Sequence, residues 1–163
     1  MKSLPTLKTE RLTLKGITES DADTIVNLRS IPEVYRYFLN PHQITKEEHL
    51  RWYFGKYIQD NNRLDWIGID SNQKSIGIFG VKRNASDGKE AEISYILDQK
   101  EYGKGYASEA VHRLTNYCKR YWKIETFIAD IHVDNLASIH FIEKQGYFVI
   151  AKFGDFLRYK KLI

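Results

Sequence analysis

A chain of 163 residues, 42% hydrophobic and 28% charged, is expected to fold as one globular domain spanning 1–163. Its net charge of +4 suits an anionic ligand, but is too small and too dispersed to argue for nucleic acid, and no nucleic-acid partner is expected. One cysteine, Cys118, excludes an internal disulfide and a cysteine-based metal site, and five scattered histidines with no His-x-x-x-His pair give no reason to expect a metal. No segment approaches a membrane span and Met1–Pro5 lacks an apolar signal core, so the expectation is a cytoplasmic protein with no membrane partner.

Leu12, Leu14 and Ile17 predict a first strand over about 11–17. Thr18 with Asp21 reads as a capping box opening a helix over 19–30, with Ala22, Ile25 and Leu28 toward the core. Ile31-Pro32 breaks it, and residues 33–38 are a candidate short helix stopped by Asn40-Pro41. Thr45 with Glu48 is a second capping box. Leu50, Tyr53, Phe54, Tyr57 and Ile58 follow at helical spacing and read as core packing. Tyr35, Tyr37, Phe38 and Trp52 are candidates for the lining of a substrate pocket.

Residues 64–69 and 76–82 read as a hairpin, and Glu92-Ile93-Ser94-Tyr95-Ile96-Leu97 completes an antiparallel meander. Ala107, Ala110, Val111, Leu114, Tyr117, Cys118 and Tyr121 then recur at helical spacing, which makes Cys118 a buried structural thiol. An apolar run over 124–131 is fit for a buried strand. Asn135 caps a helix to about Gln145, closed by Gly146, and 148–153 with 156–159 form a last hairpin. This order defines an α+β fold, an α/β sandwich on a mixed sheet. A ligand is expected where the 92–97 and 124–131 strands part.

Between the 92–97 strand and the following helix lies Lys100-Glu101-Tyr102-Gly103-Lys104-Gly105. A glycine-rich turn feeding a helix N-terminus offers unpaired N–H groups to an anion, and Lys100 and Lys104 add positive charge. Taken alone, the stretch is equally compatible with an ordinary strand-to-helix turn. It is neither a P-loop nor the three-glycine dinucleotide fingerprint, because Ser108 stands where the third glycine would be.

Three stretches in this order resemble the GNAT N-acetyltransferase superfamily, and most closely its ribosomal-protein N-terminal (RimJ/RimL-type) branch. They are Thr9-Glu10-Arg11-Leu12-Thr13-Leu14 with Glu19-Ser20-Asp21-Ala22; Ala91 to Leu97 running into Tyr102-Gly103-Lys104-Gly105-Tyr106-Ala107; and Asp134-Asn135-Leu136-Ala137-Ser138-Ile139 with Phe141 and Gly146-Tyr147. The resemblance implies a GNAT-like, mostly antiparallel central sheet flanked by helices, with acetyl-CoA as acyl donor. It implies pyrophosphate at Gly103–Gly105, with Tyr102, Tyr106, Ala107 and Phe141 among the cofactor contacts. Pantetheine would pair along Ile96 and Leu97, and Asn135 would bond near the thioester. Lys100 stands where the family usually has Arg or Gln, keeping the charge without the planar fork. Ile142 stands where many members carry an acidic tyrosine, and Ser138 is the residue the branch offers to the sulfur instead.

Acetyl transfer also needs a base. Strand alternation puts Glu92, Ser94 and Ile96 on one face and Ile93, Tyr95 and Leu97 on the other. A carboxylate on a central strand is costly unless paired or solvated by a cleft, so Glu92 is either the base or an ion-pair member. A bulge on this strand is expected to supply an oxyanion N–H. By spacing alone Ser138 is a thiol contact or a capping serine. The acceptor is expected to be a protein N-terminus or a small-molecule amine, and the state monomer or homodimer. A non-catalytic acyl-CoA sensor is the alternative function. Lys119, Arg120, Tyr121, Trp122 and Lys123 are the one basic aromatic cluster, and they end a helix where basic residues are expected anyway.

Overall fold

The computed structural model describes residues 2–163. Two short strands open the chain, β1 (Leu7–Lys8) and β2 (Thr13–Gly16); β1 had no counterpart in the predicted elements because two residues carry no periodicity. At the first capping box the Thr18 N–H donates to Asp21 Oδ2 at 2.8 Å. A 3₁₀ turn, Glu19–Asp21, intervenes before α1 (Ala22–Arg29), so the helix proper begins a turn later than the box suggested. Pro32 opens a one-turn helix, α2 (Pro32–Tyr35), shorter than expected. The second box is complete: Glu48 N–H donates to Thr45 Oγ1 at 3.1 Å, Thr45 N–H to Glu48 Oε2 at 2.8 Å, and α3 (Lys46–Gly55) follows. It stops at Gly55 and continues as a 3₁₀ turn, Tyr57–Gln59, which is why Tyr53 and Tyr57 are buried while Phe54 is exposed.

The meander follows as β3 (Arg63–Ile69), β4 (Ser75–Arg83) and β5 (Glu90–Leu97). Next come α4 (Tyr106–Trp122), β6 (Thr126–His132), α5 (Leu136–Lys144), β7 (Phe148–Phe153) and β8 (Phe156–Leu162). The eight strands form one sheet in the order β1-β2-β3-β4-β5-β6-β8-β7. Alternation divides its apolar side chains between two layers. Trp66, Phe79, Val81, Ala91 and Ile93 share a core with Ala110, Val111, Leu114 and Cys118 of α4. Ile67, Ile69 and Ile78 point the other way, to Ile25 of α1 and to Tyr53 and Tyr57. Burial pushes the Cys118 thiol up to about 12, so it is inert packing, as the helical spacing indicated. No described helix is long and apolar enough to cross a membrane.

The sheet is mixed at one seam. β5 and β6 are parallel and pair only from Glu90↔Thr126 to Glu92↔Ile128. Beyond that, β5 stays with β4 as far as Leu97, and β6 stays with β8 as far as His132. The two halves of the sheet therefore separate along 93–97.

Leu114 is fully buried between α4 and the sheet. Leu114→Ala should lower stability by about 2–5 kcal/mol, read as a lower denaturation midpoint with an unchanged slope.

Candidate active site

A cavity of about 1130 Å³ occupies the gap between β5 and β6. Glu92, Ser94 and Ile96 line it from one face of β5, and Tyr95 and Leu97 from the other, so it passes through the sheet. On the α4 side Tyr102, Gly103, Gly105, Tyr106 and Ala107 line it. Asn135, Ser138 and Phe141 complete the wall from the start of α5. On the far side stand Tyr37, Phe38 and Trp52, as their aromatic character suggested, but not Tyr35. The expected bulge is absent: β5 keeps unbroken register with β4 from Ala91 to Leu97. None is needed, because parting from β6 already leaves β5 backbone groups without a strand partner on that side.

The turn has the conformation the glycines permit. Gly103 and Gly105 have φ of 77° and 82°, a region strained for any residue with a Cβ. Helix α4 begins at the next residue, leaving its first N–H groups toward the cavity end of the loop. Lys100 and Lys104 lie outside the cavity lining. Lys104 Nζ is engaged with Glu101 Oε2 at 2.9 Å, and Lys74 Nζ holds Glu101 Oε1 at 2.5 Å. Hydrogen bonds from Lys74 and Lys104 keep the Glu101 carboxyl below the usual carboxylate range. Arg11, to which the sequence assigned no role, clamps the same loop. Its Nη1 donates to the Lys104 carbonyl at 2.9 Å, its Nε to Glu109 Oε1 at 3.1 Å, and its guanidinium lies 4.5 Å from the Tyr106 ring centroid.

At the other end of the seam, Tyr95 Oη and Ser138 Oγ are 2.7 Å apart. Tyr95 packs edge-on to Phe141 at 4.9 Å, and burial raises its pKa, so the phenol keeps its proton. Ile142 is fully buried. A tyrosine hydroxyl thus reaches this region from β5 rather than from α5. Alternation had only placed Tyr95 opposite Glu92. Asn135 Oδ1 accepts from the Ser138 N–H at 3.3 Å, the expected cap. Glu92 belongs to no ion pair among the described residues. Desolvation raises its pKa first and Asp130 second, and Arg158 opposes both while gripping Asp130 at 2.8 and 2.9 Å. No group of three or more potential metal ligands occurs among the described residues.

A half-open parallel seam beside a glycine turn at a helix N-terminus is the architecture of an acyl-CoA-using transferase. Residues 11–147 match the acetyltransferase (GNAT) domain family, and the chain belongs to it, as an acetyl-CoA-dependent acetyltransferase. It is 30% identical over 152 residues to the uncharacterized N-acetyltransferase p20 of Bacillus licheniformis, covering 88% of this chain and 83% of that one. It is 24% identical over 138 residues to the spermidine N(1)-acetyltransferase of Vibrio cholerae, covering 84% and 79%. The crystal structure of the Vibrio cholerae spermidine N-acetyltransferase in complex with CoA and spermine superposes with a TM-score of 0.82 at 23% identity, over 93% of this chain and 95% of that one.

The structure accommodates the donor on two counts, the left-handed glycines and the β5 backbone left without a strand partner. A Cβ at Gly105 would meet Arg11 Nη2 at 3.3 Å, besides forcing a strained φ. Gly105→Val should therefore weaken CoA by at least about tenfold by calorimetry, with the fold retained by circular dichroism.

Proposed function

We propose that this chain transfers the acetyl group of acetyl-CoA directly to a primary amine held on the α1–α3 side of the sheet. The observation that carries this reading is the division of labour across β5: Glu92 on one face of the opening, the Tyr95–Ser138 pair on the other. Bound acetyl-CoA supplies a thioester. The chain's residues do the rest. Glu92, desolvated and unpaired, takes the proton of the ammonium group, directly or through water, so that nitrogen can form its bond to the acyl carbon. A β5 backbone N–H on the open side meets the carbonyl oxygen. Tyr95 donates to Ser138 Oγ, which leaves the serine's own proton to point at the sulfur as the C–S bond breaks. Tyr95 is thus a positioning residue and Ser138 the group that touches the leaving atom.

A serine in this role fits the RimJ/RimL-type branch, and the spermidine-acetylating relative fits a small-molecule acceptor. An acyl-CoA sensor would need neither an unpaired Glu92 nor an oriented Ser138. The outer sheet edge bears on assembly: Phe148, Val149, Ile150 and Phe153 are all exposed along β7. An apolar edge strand calls for a cover, and a homodimer provides one.

Three measurements test these assignments. Glu92→Gln should reduce turnover about a hundredfold between the raised Glu92 pKa and the amine's own near 10, and recover partly at high pH where the amine deprotonates unaided. Wild-type turnover should fall as pH drops through the raised Glu92 pKa, and parallel profiles for the two forms would make Glu92 structural. Ser138→Ala and Tyr95→Phe should each lower kcat about tenfold with acetyl-CoA affinity held within about twofold. Light scattering should give the mass of a dimer, and Phe148→Lys with Ile150→Lys should return it to the monomer.

A further inference from the structure

The acceptor end of the cavity holds polar groups that the transfer chemistry does not use. His49 is 1% exposed, lines the cavity, and neither ring nitrogen has a hydrogen-bond partner among the described residues. Arg29, also in the lining, has a buried Nε without a hydrogen-bond partner and belongs to no ion pair among the described residues. Leaving such groups unsatisfied is costly, more so for a charge, and both residues line the cavity, so a ligand entering it can supply the partners. Asp65 acts on Arg29 only through space and makes no ion pair with it. It lies along Arg63, whose Nε and Nη2 reach its oxygens at 2.7 and 3.4 Å. Gly80, beneath it, has no Cβ that would collide with that carboxylate. Glu33 is on the exposed rim.

Together these groups make a cationic, donor-rich corner facing the same space as Glu92. We propose that Arg29 and His49 form a carboxylate subsite, so that the acceptor is a small molecule carrying both a primary amine and a carboxylate. The guanidinium forks onto the carboxylate oxygens and a neutral His49 donates one N–H; desolvation and the nearby Arg29 charge both keep that imidazole uncharged. The amine is left at Glu92. A polycation has the opposite requirement, since it would need acids where this corner presents arginine. The subsite deepens the acetyl-transfer function above and rests on it.

The test uses linear ω-amino acids of three to six carbons, matched alkylamines with methyl in place of carboxylate, and spermidine, with CoA release as readout. One amino acid should exceed its matched alkylamine in kcat/KM by at least about tenfold. Arg29→Met should raise KM for that acid by at least about tenfold and leave the alkylamine within about twofold. Arg29→Lys, which keeps charge but not the fork, should fall between them. In parallel, binding of the simple carboxylate valerate to the CoA-loaded protein is measured by calorimetry, and Arg29→Met and His49→Leu should each abolish it. Spermidine or the alkylamines matching the acids in rate, with no valerate binding, overturns the subsite and leaves amine acetylation standing. Valerate binding that needs Arg29, with no amine acetylated, supports the subsite and overturns the transfer function instead.

Discussion

Everything in this site follows from a parallel strand pair that closes for three residues and then opens. β5 is held by β4 from Ala91 to Leu97, and β6 by β8 along its length, so neither can follow the other past Glu92↔Ile128. A sheet interior that stops pairing leaves N–H and C=O groups that must find partners. An extended ligand with amides of its own satisfies them as a missing strand would. The opening also fixes Glu92 at the last paired position, where the strand is still rigid. The carboxylate is thereby set at the crotch of the gap, without dependence on a loop.

The Gly103–Gly105 turn needs separate anchoring, because two left-handed glycines give it no stiffness of its own. Two remote segments provide that. Lys74, from the β3–β4 turn, and Lys104 share the two oxygens of Glu101, which is 4% exposed. Arg11 and Thr9 hold Glu109 one turn into α4, with the threonine hydroxyl at 2.6 Å. These contacts tie the turn to two other segments of the chain. They fix geometry. Since its lysine partners depress the Glu101 pKa, the clamp is intact above the ordinary carboxylate range and is lost as pH falls through the depressed value.

Periodicity made the fold legible. The meander, α4, the capped α5 and the last hairpin were each written in alternation, helical spacing or a cap residue. Ala22, Ile25 and Leu28 took the core positions expected of them. What sequence could not carry was pairing at a distance. Nothing local says that Lys74 reaches Glu101, that Arg11 crosses to the Gly105 loop, or that Tyr95 meets Ser138. Two signals were present but polar. His49 sits four residues before Tyr53, and Arg29 four after Ile25, each on its helix's buried face. Counting only apolar residues in the stripe passed over both.

The charges in the cavity explain why those two polar exceptions matter. Asp65 is matched to Arg63 and Asp130 to Arg158, two hydrogen-bonded pairs that carry no net charge. Glu33 and Lys144 stand on the exposed rim, where water screens them. That leaves Glu92 and Arg29, opposite in sign, as the half-buried cavity charges in no ion pair among the described residues. Each is penalised by its own desolvation: burial lifts the Glu92 pKa and lowers that of Arg29. A ligand with one charge would relieve one end and leave the other exposed to the low dielectric. A zwitterion relieves both in one binding event, and because the arginine end does not change during acyl transfer, its binding energy would serve, on the proposed mechanism, to orient the amine at Glu92.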